Sequence, residues 1–202
     1  NAACYASHSA ERQKPNCCLE QYFALSLRLN SIVLFDVINP IGDKSLSDQR
    51  KVDPVFVRDR IEAALETHEQ VFEKFFLAKL LGLKFDYLPA DVVDADKDHL
   101  RVSFEVTEML MNPQGSLHGG IMAAVMDISM GHLLHKTVGM GGITIEMKTQ
   151  YMRPALKGRA VVEGRFIKKG RTLSFMESRL WGVDEKLAAV TTATWKMPDQ
   201  PS

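Results

Sequence analysis

The residue that most demands a chemical explanation is an aspartate in an apolar stretch. Asp127 is preceded by Ile121, Met122, Ala123, Ala124, Val125 and Met126 and followed by Ile128, Met130, Leu133 and Leu134. This stretch, Ile121 to about Lys136, reads as a helix apolar on nearly every side, which belongs in a core. An ionised carboxylate in such surroundings costs several kcal/mol unless it is paired. Asp127 is therefore matched by an Arg or Lys of a neighbouring strand, exposed at a subunit interface, or kept for a reaction. A partner for such a reaction lies just upstream, in Asn112-Pro-Gln-Gly-Ser-Leu-His118-Gly119-Gly120. Two glycines opening a helix let a ligand approach the backbone, and the unpaired first-turn N–H groups form a positive, hydrogen-bond-donating end. Such an end suits a developing oxyanion, although His-Gly-Gly alone most often marks only a turn. Eight residues separate Gly119 from Asp127, about 12 Å along a helix axis. At that distance the acid cannot attack a carbonyl bound at the start of its own helix. Two such helices meeting antiparallel at a dimer interface would instead face each other's acid.

The elements that must hold these residues are legible from periodicity. Leu100, Val102, Phe104 and Val106 alternate with Arg101, Ser103 and Glu105, a half-buried strand. After the helix come four strand-like runs, Ile143 to Met152, Arg159 to Lys168, Thr172 to Trp181 and Lys186 to Lys196, separated by turn signals. One helix among so much sheet must be buried by it. Upstream, Asp53 and Pro54 make an N-cap and N1 pair. Apolar residues then recur at Ile61, Leu65, Val71 or Phe72, Phe75, Phe76 and Leu80 and stop at Gly82, predicting one long helix or two short ones whose job is packing. An acidic loop, Pro89 to Asp98, separates this segment from the first strand. Residues 1–52 carry one apolar patch, Tyr22 to Val37, and a turn-rich Asn39-Pro40-Ile41-Gly42-Asp43, and they offer no chemistry. The expected organisation is an N-terminal extension over 1–52, a helical segment over 53–82 and the main α+β domain over 83–197.

Composition removes several function classes. The chain has 202 residues, 46% hydrophobic, with 25 basic and 25 acidic side chains. A nucleic-acid binder shows a basic excess, and a disordered chain shows high net charge with few apolar residues. No run approaches the roughly 18 to 20 apolar residues of a membrane span. The three cysteines, Cys4, Cys17 and Cys18, all lie near the start, so the remainder has neither disulfides nor a thiolate metal site, and a reducing, cytoplasmic setting is expected. No secretory signal is read at the start. His132 and His135 lie three apart without an acidic or Cys partner at ligand spacing, which points to packing rather than a metal.

Several motifs in order, Asn112-Pro-x-Gly115-x-x-His118-Gly119-Gly120, Asp127, Gly-Ile-Thr144-Ile-Glu-Met, Tyr151-Met-Arg153-Pro154-Ala155 and Gly170-Arg171-Thr172, resemble the hotdog-fold acyl-CoA thioesterases of the phenylacetic-acid-degradation (PaaI-like) type. The resemblance covers about Phe72 to Met197. It implies the hotdog fold, a long central helix wrapped by a curved antiparallel β-sheet, paired as a homodimer and commonly as a homotetramer made of two such dimers. It further implies that Asp127 acts as general base or nucleophile on the thioester and that the Gly119 N–H polarises the carbonyl. Asn112 would orient the carbonyl or the attacking water, Thr144 would help hold that water, and His118 would position the loop or the thioester. Gly120 would complete the backbone approach. No metal and no resident cofactor are implied, since coenzyme A is part of the substrate.

The local charge fits this expectation. Between Ile143 and Arg171 there are eight basic residues against two acidic ones, a basic region suited to the phosphates of coenzyme A, with Arg153, Lys169 and Arg171 as preferred contacts. A solvated strand face is the competing explanation. Numerous methionines, among them Met122, Met126, Met130 and Met147, fill a core or line an adaptable acyl pocket. A Gly-x-Ser-x-Gly elbow is absent, which argues against an α/β-hydrolase route. Two other readings stand beside a thioesterase. One is a hotdog protein that binds acyl-CoA without turning it over; the other is an acyl-thioester dehydratase, whose usual catalytic His motif is not found.

Overall fold

The computed structural model describes residues 51–88 and 99–198. The expectations for the extension up to residue 50 and for the acidic loop lie outside the described residues. Helix α1 (Pro54–Thr67) starts as expected, with Asp53 accepting from the Val55 N–H at 2.9 Å and Pro54 in the first turn. A second short helix, α2 (Phe76–Leu81), ends at Gly82, whose φ of 65° is the left-handed conformation glycine tolerates. The helical segment is thus two helices. Its packing role is narrower than expected: α1 buries only Ala64, while Val55 and Leu65 stay 61% and 55% exposed. Arg60 fastens α1 to the end of α2 by donating to the Leu80 carbonyl at 2.9 Å.

Six strands follow, interrupted by one long helix. They are β1 (Lys84–Leu88), β2 (His99–Val106), β3 (Ile143–Tyr151), β4 (Gly158–Lys168), β5 (Leu173–Trp181) and β6 (Leu187–Lys196), all in one antiparallel sheet of order β1-β2-β4-β5-β6-β3. Helix α3 (Gly119–Val138) lies against this sheet, giving the hotdog architecture. α3 begins two residues before the expected Ile121 because His118 caps it, and it ends at Gly139, φ 80°. The strand β1 is an addition to the expected set. Its five residues, Lys-Phe-Asp-Tyr-Leu, alternate Phe85 and Tyr87 toward the core with Lys84 and Asp86 away from it.

The core lies between α3 and the inner sheet face. Leu100, Val102 and Val106 from β2, Val162 from β4, and Met176 and Leu180 from β5 are fully buried against Val125, Met126, Met130, Leu133 and Leu134. Under the middle of α3 the sheet is lined by small residues. A Cβ on Gly164 would stand 3.0 Å from the Ser129 backbone, and one on Gly131 would stand 3.0 Å from the Trp195 ring. Side chains are replaced there by near-contact of backbone with sheet, and the buried Ser129 hydroxyl is satisfied by the Met126 carbonyl and by Ser178 Oγ at 2.9 Å. Because packing density tolerates so little added volume, Gly164→Ala is expected to destabilise the fold by about 1–3 kcal/mol, read as a lower urea midpoint at unchanged slope.

Candidate active site

Asp127 sits two turns into α3, on the side of the helix turned toward β3. Its Oδ1 accepts a hydrogen bond from Thr144 Oγ1 at 2.9 Å. It is half-buried, and no Lys or Arg among the described residues lies within ion-pair distance of it. The strand cation that would have made it a structural ion pair is therefore missing from those residues. Burial raises its pKa above the ordinary 3.8, and the Thr144 hydroxyl, which favours the charged form, offsets part of that rise. The carboxylate is thus partly desolvated and held by a single neutral donor, a state that keeps it basic.

Thr144 reaches Asp127 because β3 is irregular. Along β3 the Cα partner of Thr144 is Trp195 and that of Glu146 is Thr194, so Ile145 is an extra residue, a β-bulge. In a regular strand Thr144 and Tyr151, seven residues apart, would point to opposite faces. With Ile145 bulged out, Thr144, Met147, Thr149 and Tyr151 all pair across to the inward-facing Trp195, Ala193, Thr191 and Ala189 of β6. One strand therefore touches α3 at two points. Thr144 meets Asp127, and Tyr151 Oη donates to the Gly119 carbonyl at 3.0 Å.

At the start of α3 the His-Gly-Gly residues have distinct tasks. His118 is the N-cap; its Nδ1 accepts from the Gly120 N–H at 3.0 Å, and its carbonyl takes the N–H groups of Ile121 and Met122. Of the four first-turn donors, only the Gly119 N–H has no acceptor among the described residues. Sequence alone leaves the whole helix start available; the structure narrows it to this group. Gly120 leaves room for its neighbour, since a Cβ there would lie 3.1 Å from His118 Nδ1 and the imidazole would have to shift.

Asn112 closes a turn with Ser116. Its side-chain amide donates to Ser116 Oγ at 3.1 Å and its Oδ1 accepts from the Ser116 N–H at 3.2 Å, while its own N–H donates to the Ser116 carbonyl. The Asn112–Ser116 turn shapes the loop leading into His118 and uses one of the two N–H donors of the Asn112 amide.

The basic residues divide in space. Arg153 follows the end of β3 that lies beside Gly119, whereas Lys169 and Arg171 form the β4–β5 turn at the opposite end of the sheet, next to the end of α3. The single rim expected from sequence is therefore not formed within one chain, because adjacent antiparallel strands put consecutive turns at opposite ends. Lys169 and Arg171 flank a cleft of 430 Å³ with Thr137, Val138, Gly170 and Met197. Other members of the basic excess are paired, Lys157 with Glu108 and Arg165 with Glu177. Beyond the site, His132 is buried and neutral. Its Nδ1 donates to the Ile128 carbonyl, its Nε2 accepts from the Glu73 N–H at 3.1 Å, and burial lowers its pKa. His135 stacks on Phe72 at 3.6 Å. Both act as packing residues, as their spacing suggested, and no three potential ligands gather in a metal-binding arrangement among the described residues. Sequence reasoning overlooked Tyr151 as a contact of the helix start. The bulge that puts Thr144 and Tyr151 on one face leaves no residue-type signature.

Comparison with known proteins agrees with this fold. Residues 114–189 match the family described as the Thioesterase superfamily. Acyl-coenzyme A thioesterase 13 of Mus musculus is 35% identical over 86 residues, which span 42% of this chain and 61% of that protein. The fold recurs in a Bacillus halodurans protein crystallised with CoA (TM-score 0.62, 17% identity, 75% of this chain and 98% of that one). It recurs also in the PaaI protein of the phenylacetic acid degradation operon of E. coli (TM-score 0.55, 16% identity, 69% of this chain and 96% of that one).

The raised pKa of Asp127 has a consequence for stability. A carboxyl group whose pKa is higher folded than unfolded stabilises the fold while protonated, and that contribution is lost as pH rises through the folded pKa. Asp127→Asn keeps an acceptor for Thr144 without the charge. Its thermal midpoint at pH 7 should exceed that of the wild type, with the gap closing on acidification toward the ordinary carboxylate range near 3.8. Melting curves across that range measure it.

Proposed function

We propose that this chain, which belongs to the Thioesterase superfamily and is a hydrolase, cleaves acyl-CoA thioesters to the free carboxylic acid and coenzyme A. The observation that carries the reading is Asp127: a half-buried carboxylate without a cationic partner among the described residues, held by Thr144 and raised in basicity by burial. In the general-base route Asp127 takes a proton from water as the water oxygen bonds to the thioester carbon. The resulting oxyanion is stabilised by the Gly119 N–H, and collapse of the intermediate breaks the C–S bond. The departing thiolate recovers the proton from Asp127, so acid and thiol leave with the enzyme unchanged. In the nucleophilic route the Asp127 oxygen bonds to the same carbon and water cleaves the anhydride afterwards. Either route uses only protein groups and water; no resident cofactor is required, and coenzyme A arrives as part of the substrate.

The assembly proposed is a homodimer in which the β3 edges pair antiparallel, with a homotetramer formed from two such dimers. Ile143 and Ile145, 65% and 56% exposed, lie on the outermost strand of the sheet, an arrangement that favours pairing with another chain. Antiparallel pairing about a two-fold brings the Gly119 end of one α3 toward Asp127 of the other. It likewise sets Arg153 of one chain near Lys169 and Arg171 of its partner, which would rejoin the separated basic residues around the phosphates of coenzyme A. Solution light scattering should give at least twice the chain mass; a monomer would contradict the paired site.

Thiol release from a panel of aryl- and alkyl-CoA esters tests the activity. The wild type should release thiol from at least one ester, and Asp127→Asn should lower kcat/KM by about 100-fold or more. Full activity in that variant would remove Asp127 from the mechanism. Absence of thiol release from every ester, with tight CoA-ester binding retained, would favour the non-catalytic binder.

A further inference from the structure

The Gly119 carbonyl and the Gly120 N–H belong to one peptide unit, and both of its ends are held. Tyr151 Oη donates to the carbonyl at 3.0 Å, while the N–H donates to His118 Nδ1 at 3.0 Å. The preceding unit, between His118 and Gly119, has its carbonyl taken by Ile121 and Met122 and carries the one first-turn N–H without an acceptor among the described residues. The two units share the Gly119 Cα, where the absence of a side chain leaves the backbone unusually free to rotate. A donor at such a pivot keeps a fixed aim only if something outside the glycine restrains it. Tyr151 does so twice, because its ring also covers Gly119: a Cβ built there would lie 3.4 Å from Tyr151 Cζ and 3.5 Å from Cε1. Core filling does not account for this tyrosine, which remains 53% exposed. Its direction follows from the regular register of β3 against β6 beyond Glu146, and the Ile145 bulge is what lets Thr144 share that face with it.

We infer that Tyr151 is a positioning residue, its hydroxyl and ring fixing Gly119 so that the Gly119 N–H stays aimed at the oxyanion. The inference rests on the thioesterase reading for its consequence and on the hydrogen bonds alone for its geometry. The same β3 that presents Thr144 to the acid thereby presents Tyr151 to the oxyanion donor.

Tyr151→Phe keeps the ring and removes the hydroxyl. Its kcat for the best ester of the panel should fall about tenfold, about 1.4 kcal/mol on the barrier, with KM within about twofold and the thermal midpoint and acid limb of the pH profile unmoved. Unchanged kcat, or a raised KM with kcat intact, would overturn the inference. Because His118 and Tyr151 hold one peptide unit, the doubly substituted His118→Ala, Tyr151→Phe protein should lose less than the product of the two single losses; a full product would also overturn it. A readout without turnover separates this inference from the function. The amide resonances of Gly119 and Gly120 should shift in Tyr151→Phe, and unshifted resonances reject the contact. Shifted resonances in a protein that releases no thiol would leave the positioning of Gly119 standing and reject the thioesterase reading.

Discussion

The close approach of α3 to the sheet is the constraint on which the rest of the molecule depends. At Gly164 and Gly131 a Cβ would press to 3.0 Å against its neighbours, and around them the inner face carries Ser178, Thr191 and Ala193. A helix at that distance loses water along its sheet side, which explains why Met126 and Met130 are fully buried. The same closeness decides what happens to a polar residue at the edge of the contact. Asp127 lies on the side of the helix turned toward β3, where a threonine hydroxyl reaches it and it remains half-buried. Its basicity is a by-product of packing that was set by small residues elsewhere.

Glycines serve three different ends along this helix, and only one of them is conformational. Gly139 ends it with positive φ, Gly131 admits Trp195, and Gly120 admits the imidazole of its own cap. The Gly119 position has the opposite character, since a Cβ there would meet Tyr151 at ordinary contact distance. Its restraint comes from hydrogen bonds around it. The helix start is therefore ordered by side chains at a point where backbone stereochemistry supplies little order, which is consistent with a group that must point in one direction.

Period and polarity made most of this fold legible. The alternation of β2, the apolar run of α3 and the turn signals between β3 and β6 are local properties, and they survive folding. Strand β1 was missed because five residues between a helix and an acidic loop carry too short an alternation to stand out. Asp127 was legible as a carboxylate in an apolar helix and Thr144 through the family resemblance, and the structure brings the two into contact. What the sequence did not reveal are matters of three-dimensional position. Asn112 turns onto Ser116 through hydrogen bonds that spacing does not reveal, and the basic cluster that looks continuous in the chain is split by the alternation of turns between the two ends of a sheet. Tyr151 could be identified only once the register of β3 against β6 was known, because one unpaired residue, Ile145, is what lets Thr144 and Tyr151 face inward together.

That unpaired residue makes the length of β3 a functional quantity in its own right. Substitutions along the strand alter one contact at a time, but removing or adding a single residue between Thr144 and Tyr151 would reverse which face one of them occupies. Every residue with a chemical task would still be present in the sequence, and an alignment that ignored a one-residue gap would still match them all. Relatives of this chain can thus carry the full set of motif residues and lack the arrangement, and the count of residues between the two contacts is the feature that tells them apart.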